Sequence, residues 1–531
     1  MKRRDLLKSA AAVPLAASAL AAPALAQPAG ANVFRVIPQA NLTSLDPVWT
    51  TATITRHHSF LVYDQIVSND ASGTPRPQMA DGWTIEDDGR TYTFTLRDGL
   101  RFHDGEPVLA RDCVASITRW GKRDQFGQEL MAVTDEVAAL DDRRFRFRLK
   151  RPFPLLLAAL GKDSASPCFV MPERVAQTDP FTQIRDPVGS GPYRFIQADW
   201  VPGAKVAYTR NAAYQPRPEP PSYTSGGKRA LVERIEWSII PDTSTAAAAM
   251  MQGEADFWEL PLHDLLPQMR RNRNLVVHVR DQLGTYAMLR FNHLHPPFDK
   301  AEIRRAVAMA VNQEDYMRAV VGDDPAGWRR CLSFWTCGTP NESLLGSEVM
   351  ANPSVDRAKA ALAAAGYNGE RVVLIAPSDF PTLFAVSQVS NDLLRRLGMN
   401  VDFVSTDWGT LVQRRASREP IDKGGWNIFH TTWSGADHVN PAAHVPMRGN
   451  GTAGWFGWAT DPETERLRAE WFAATDPAAQ KAATDGMQAR AMAYMPYVPL
   501  GAFLHPNVWR RTISGVIDAP VLVFYNISKS G

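Results

Sequence analysis

Apolar and polar residues alternate with period two over residues 91–97. Tyr92, Phe94 and Leu96 fall on one face, and Thr91, Thr93, Thr95 and Arg97 on the other. This pattern predicts a half-buried strand, ended by the Asp98-Gly99 turn. Phe145, Phe147 and Leu149 alternate with Arg144, Arg146 and Arg148 in the same way, and Ile235, Trp237 and Ile239 mark a third strand. Helical spacing appears after Pro107, where Cys113, Ile117 and Trp120 share a face. An Ala-rich helix follows the third strand and stops near Gly253. Asp299 and Glu302 have capping-box spacing before Ile303, Val307, Ala310 and Val311, which predicts an amphipathic helix. Residues 372–376, Val-Val-Leu-Ile-Ala, suit a strand buried on both faces. A helix ending at Leu397-Gly398 and a strand over 401–404 follow, and that order predicts a parallel pair in an α/β domain. Helices are predicted over 462–474 and 477–494, and residues 498–503 return the chain to a sheet. The Pro-rich stretch 215–221 reads as a surface loop.

Composition narrows the class. The chain has 531 residues, and a prior of ~150 residues per domain implies two to four domains. Its first residues place Lys2, Arg3, Arg4 and Lys8 before an Ala/Leu run and an Ala24-Leu25-Ala26 box. This is the layout of a secretory leader over residues 1–26, and the paired arginines resemble a twin-arginine export signal. Pro14, Ser18 and Pro23 interrupt the run, so it lacks the ~20 strongly apolar residues of a membrane span. The leader holds four bases and one acid. Its removal turns 58 basic and 56 acidic residues into 54 and 55, a net charge of −1. No basic excess points to a nucleic-acid partner. A soluble protein of the periplasm is expected, acting as a monomer. Of four cysteines, Cys331 and Cys337 lie in a loop-like stretch and can form a bridge if their Cα atoms come within ~7 Å. Cys113 and Cys168 read as small buried hydrophobes.

Short boxes in fixed order carry a family resemblance. Tyr63-Asp64-Gln65-Ile66 precedes Ala80-Asp81-Gly82-Trp83, then Asp88-Gly89-Arg90-Thr91-Tyr92-Thr93-Phe94, Leu96-Arg97-Asp98-Gly99 and Phe102-His103-Asp104-Gly105. Pro187-Val188-Gly189-Ser190-Gly191-Pro192-Tyr193 comes next, followed by Arg210-Asn211, Gly253-Glu254, Phe291-Asn292 with Pro297-Phe298, and Ala365-Gly366-Tyr367. In these boxes the chain resembles the family 5 extracytoplasmic solute-binding proteins of ABC importers, the peptide- and nickel-binding type. The resemblance implies an α/β, two-lobed periplasmic-binding-protein-like fold (type II, cluster C) with an additional inserted subdomain. Residues 27–50, 187–285 and 500–531 would form the hinge lobe, 51–186 the inserted subdomain, and 286–499 the second lobe. A small solute would bind in the cleft, and closure about the hinge would present the loaded protein to the permease subunits in the membrane. The glycines of Asp98-Gly99 and Asp104-Gly105 suit turns with positive φ, and the Gly-Ser-Gly-Pro run suits a sharp backbone turn.

The segment 429–437, Phe-His-Thr-Thr-Trp-Ser-Gly-Ala-Asp, matches the family's cleft-lining stretch. Trp433 is the leading ligand candidate, because an indole packs a ligand while its N–H stays available. Ser434, Gly435 and Asp437 follow it, His430 precedes it, and Trp408 lies after the strand at 401–404. In peptide binders of the family an Asp just after this Trp pairs with the ligand's α-ammonium; here Ala436 takes that position and Asp437 comes one later. The family's dipeptide binders place an Arg for the ligand carboxylate after the strand at 372–376, and this chain has no Arg or Lys between Arg371 and Arg395. Both departures count against an ordinary dipeptide. The loop Thr43-Ser44-Leu45-Asp46 is expected to reach the cleft from the other lobe.

An exported enzyme is the rival class. The chain lacks a G-x-S-x-G elbow, an H-E-x-x-H pair, a P-loop and a Rossmann fingerprint, so no catalytic residue, cofactor or metal site is assigned. His57, His58, His293 and His295 read as surface or loop residues. Metal-chelate binding for the same kind of importer stays open, as does a role beside a receptor.

Overall fold

A computed structural model describes residues 32–474 and 476–530. The expected leader over 1–26 lies outside the described residues. Two large sheets organise the chain. The first holds seven strands in the order Tyr193–Phe195, Lys205–Arg210, Arg234–Ser238, Val33–Ile37, Phe257–Trp258, Asn507–Arg510 and Leu275–His278. The second holds six, in the order Trp328–Arg329, Tyr497–Phe503, Thr285–Phe291, Ile428–Ser434, Arg371–Pro377 and Asn400–Thr406. A four-stranded antiparallel sheet, Ala80–Glu86, Thr91–Leu96, Arg144–Leu149 and Thr134–Ala139, lies between residues 51 and 186.

The elements follow from the patterns. Tyr92, Phe94 and Leu96 are buried, and Phe145 and Phe147 pack beside them, Phe94 stacked on Phe145 at 5.0 Å. Arg371–Pro377 pairs in parallel with Asn400–Thr406 across the crossover helix Pro381–Arg396. Gly398, at φ 82°, ends that helix, where a side chain would be strained. The Ala-rich helix Thr243–Gln252 starts on the Asp242 carboxylate, which accepts from Thr245 N at 2.7 Å, and stops at Gly253, φ 83°.

Several expectations need correction. The boundaries expected at 285 and 500 fall inside strands of the second sheet, because Thr285 pairs with Phe503. The chain therefore passes between the two sheets over 279–284 and 504–506. The capping box at Asp299 and Glu302 does not form. The helix runs Ala301–Ala308 from Lys300 with no side-chain cap, and Ala310 and Val311 lie beyond its end. Arg304, inside the helix, instead ties its start to another segment, donating to the carbonyls of Phe298 (2.7 Å), Asp299 (3.2 Å), Tyr494 (2.7 Å) and Met495 (2.9 Å). His57 and His58 lie buried in the helix Thr53–Val62, and His58 shares a 2.9 Å hydrogen bond with the Tyr208 hydroxyl.

Gly189 and Gly191 take ordinary φ values. Their need is close approach rather than turning. A Cβ on Gly189 would sit 1.9 Å from the Val62 carbonyl oxygen, and one on Gly191 2.5 Å from that of Leu61. Cys331 and Cys337 form a disulfide with Cα atoms 6.0 Å apart, and Cys113 and Cys168 are free and buried. Among the described residues no helix is long and apolar enough to cross a membrane.

Candidate ligand-binding cleft

The cleft lies where the parallel strands of the second sheet end and face the first. Carboxyl ends of parallel strands favour ligand sites because loops leave them in divergent directions. Phe380, after the strand Arg371–Pro377, and Trp408, after Asn400–Thr406, line one side. Thr431 and Trp433 of Ile428–Ser434 line another, and Gln39, Ala40 and residues 51–54 close it from the first sheet. The inner space is tight, with a 30 Å³ cavity around Trp433 and a neighbouring one of 90 Å³ that reaches Arg56, Glu259 and Arg280. Beyond Trp455 and Thr51, which meet in a 3.1 Å hydrogen bond, lies a larger cavity of about 260 Å³.

Trp433 is 5% exposed, and its indole N–H has no hydrogen-bond partner. It meets Trp455 edge-on at 5.3 Å. Trp408 packs edge-on to Phe380 at 5.4 Å, with its backbone N–H donating to the Asp379 carboxylate. The structure thus brings Trp433, Trp408 and Asp437 to one cavity.

Asp437 is not free there. It accepts from Arg56 Nη1 at 3.2 Å, from the backbone N–H of Ala165 at 2.8 Å and from that of Ser434 at 3.2 Å. Ser434 turns its hydroxyl to Asp281, 3.0 Å away in the connecting segment. Gly435 lets the strand end pass close to that segment, since a Cβ would meet Leu283 at 2.6 Å.

His430 is a correction. Alternation along its strand sends it to the opposite face from Trp433, where it is fully buried. Its ring nitrogens bond to Ser387 Oγ (3.0 Å) and Ser390 Oγ (2.8 Å) of the crossover helix, and burial lowers its pKa to about 3. The loop 43–46 reaches the second sheet's side through Thr43, whose methyl lies 3.0 Å from where a Cβ on Gly409 would stand, beside Trp408. Asp46 turns inward to a two-pronged pair with Arg119 at 2.7 and 3.0 Å, and residues 51–54 supply the cleft wall.

The residue that sequence reading missed is Arg415. It follows the helix Trp408–Arg414, and it is buried with no ion pair to any described carboxylate. Its guanidinium lies 4.9 Å from the Phe456 ring, 5.5 Å from Trp408, and 5.8 Å from both Phe429 and Trp455. Its Nε and Nη2 lack partners, and desolvation lowers its pKa to about 9. One signal was available: Arg415 is seven residues from Trp408, which places both on the buried face that carries Leu411 and Val412. Among the described residues no group of three His, Cys, Asp or Glu side chains is placed to hold a metal ion.

Known proteins match this architecture. The family model for bacterial extracellular solute-binding proteins, family 5, matches residues 74–455. A probable peptide ABC transporter periplasmic-binding protein, y4tO, of Sinorhizobium fredii is 38% identical over the full length of both chains. The glutathione-binding protein GsiB of Pectobacterium atrosepticum is 26% identical over 91% of each. Among solved structures, a dipeptide-binding protein of Pseudoalteromonas sp. SM9913 in complex with Met-Leu superposes with a TM-score of 0.77. It is 21% identical and covers 94% of this chain and all of its own. The binding protein AgaA of A. tumefaciens R10, in complex with agropinic acid, gives a TM-score of 0.76 at 19% identity, covering 94% of this chain and 99% of its own. The fold is thus the two-lobed type II binding-protein fold, and the chain belongs to the family 5 bacterial extracellular solute-binding proteins.

Proposed function

We propose that this chain is the periplasmic substrate-binding component of an ABC importer, and that its cargo is a small molecule bearing a carboxylate. Arg415 carries the reading. A buried guanidinium normally has a counter-ion, because desolvating it alone is costly. Arg415 has rings around it and unpaired N–H groups beside the small cavity at Trp433. A carboxylate entering there would gain charge-assisted hydrogen bonds in a dry site, where they are strong. Trp433, Trp408 and Trp455 would enclose the apolar part of the ligand, with the Trp433 N–H free to donate. This position replaces the arginine that dipeptide binders place after the preceding strand. Relatives described as binding peptides, glutathione and agropinic acid all take ligands with carboxyl groups, which supports the class. The two passages at 279–284 and 504–506 would serve as the hinge by which loading is signalled to the permease.

The test is a thermal-shift panel of peptides, glutathione, opine acids, betaines and oligosaccharides. A ligand at 100 times its Kd adds about 2.7 kcal/mol of stability. The acids should shift the wild-type protein, and Arg415→Gln should lose the shift. An equal shift in Arg415→Gln, or a response to the neutral sugars alone, rules out the carboxylate reading.

A further inference from the structure

The larger cavity beyond Trp455 and Thr51 is lined by two arginines from distant parts of the chain. Arg123 stands just after the helix Ala110–Gly121, and Arg418 stands in the turn after Arg415. Each guanidinium lies over an aromatic ring, Arg123 at 4.8 Å from Phe181 and Arg418 at 5.4 Å from Trp458. Stacking holds a guanidinium by its face and leaves its N–H edge for an acceptor. Arg123 donates from Nη2 to the Trp49 carbonyl at 3.0 Å, and Arg418 from Nη2 to that of Thr452 at 2.7 Å. Among the described residues the side-chain partners of both are these carbonyls, not carboxylates, and Arg123 Nε is buried with no partner. The nearby acids are held elsewhere. Asp124, the one carboxylate among the described residues of the cavity wall, takes the Lys162 ammonium and the Gly127 N–H. Asp46 is paired with Arg119, and the Asp179 carboxylate accepts from the Phe181 N–H at 2.9 Å. Burial lowers the Arg123 pKa, with the charges of Arg119 and Arg418 adding to that and Asp46 and Asp179 opposing it.

From this geometry we infer that the cavity is a second anion subsite, and that the cargo carries two acidic groups, one for Arg415 and one for Arg123 with Arg418. The inference rests on the carboxylate reading of Arg415 and deepens it. Trp455 joins the two spaces: it lines both cavities, and the Arg415 guanidinium lies 5.8 Å from its ring. Arg415 and Arg418 are three residues apart in the chain, so their Cα atoms are at most ~11 Å from each other. A small diacid can span that distance with its apolar middle against the indole. The cavity of about 260 Å³ is below the ~300 Å³ at which pockets for whole small ligands begin, so it suits one end of a ligand. An acid group placed there would take the free N–H edges of both arginines in charge-assisted hydrogen bonds. It would also relieve the repulsion between two cations that face one cavity. A cargo with a single carboxylate leaves that pair unmatched.

The experiment uses calorimetry on wild type, Arg123→Gln, Arg418→Gln, Arg418→Glu and Arg415→Gln. The probes are the linear diacids from succinate to suberate, each beside its monomethyl ester. Wild type should bind at least one diacid about tenfold or more tightly than its monoester, the scale of one charge-assisted contact. Arg123→Gln and Arg418→Gln should each shrink that preference, and Arg418→Glu should abolish it. The inference is overturned if wild type prefers no diacid to its monoester, whether the two bind equally or neither binds. A preference that survives intact in Arg418→Glu overturns it too. Arg418 is exposed, so its variants keep the fold, and they decide the outcome if Arg123→Gln does not fold. The monoesters and Arg415→Gln separate the two readings. Equal binding of diacids and monoesters that Arg415→Gln weakens removes the second subsite alone. Monoester binding that Arg415→Gln leaves unchanged removes the Arg415 anchor, while the Arg418 variants still report on the second cavity.

Discussion

Arg415 and His430 illustrate opposite uses of a buried polar side chain. Arg415 has no counter-ion among the described residues, so in the free protein it is a net destabilising group. Arg415→Gln should therefore stabilise the unliganded protein by on the order of 1 kcal/mol, read as a higher melting temperature, while removing its response to ligand. A loss of unliganded stability instead would mean that the guanidinium serves the fold. His430 is fully satisfied, in a chain of contacts that runs from the Tyr316 hydroxyl through Ser390 to the imidazole and on to Ser387. His430→Ala should cost about 2–4 kcal/mol in a denaturant titration, from a cavity plus stranded hydroxyls, and leave ligand affinity unchanged. A stable variant with weakened binding would return His430 to the cleft. The sequence placed His430 three residues from Trp433 and so suggested a shared role. In a strand, three residues apart means opposite faces.

The helix Thr53–Val62 is buried along nearly all its length, and the Gly189-Ser190-Gly191 segment lies across its end. The Gly191 N–H donates to the Val62 carbonyl at 2.9 Å, and the Gly189 carbonyl accepts from His103 N at 2.8 Å. Gly189→Ala would push a methyl into the Val62 carbonyl, and overpacking against backbone cannot be relieved by a rotamer change. We expect a loss of about 3 kcal/mol or more, read from the unfolding midpoint. A neutral Gly189→Ala would show that the two backbones are not pressed together. The family box was legible as a sequence string. Its reason was not, because the clash partner lies more than a hundred residues away. The helix Ala301–Ala308 shows the same limit. Its capping residues have the right spacing, but the cap does not form, and the helix start is tied down by Arg304, which donates to carbonyls beside it and in the distant segment Tyr494-Met495.

Across the whole molecule, buried histidines set the response to acid. His58, His430, His438 and His505 have pKa values held at about 3 by burial, against an ordinary value of 6.5. The folded state binds fewer protons than the unfolded one between these values, so their contribution is full above pH 6.5 and is lost as pH falls toward 3. Burial acts the other way on Glu259, raised to about 7, and Asp163, raised to about 6. These carboxyls favour the folded state in acid and lose that contribution as pH rises from about 4 to 7. The histidines are more numerous and more strongly shifted. The melting temperature should therefore fall below pH 6 and drop more steeply below about 4.5, where the carboxyls no longer offset them. A melting temperature that holds constant from pH 7 to 4 would mean that these imidazoles are hydrated in the native state.

Strand faces, helix periods and the parallel pair around residues 371–406 were set by the sequence alone. Each depends on residues within a few positions of one another, where backbone geometry repeats with period 2 or 3.6 and turns demand particular side chains. Tertiary structure alone decided that Arg415 is buried without an acid and that Asp437 belongs to Arg56. It also decided which carbonyls press on Gly189. These outcomes depend on desolvation and charge, which are set by whatever packs around a group from distant parts of the chain. Periodicity along the chain carries no record of those neighbours, so the strand that carries Trp433 could be read in advance and the charged groups around it could not.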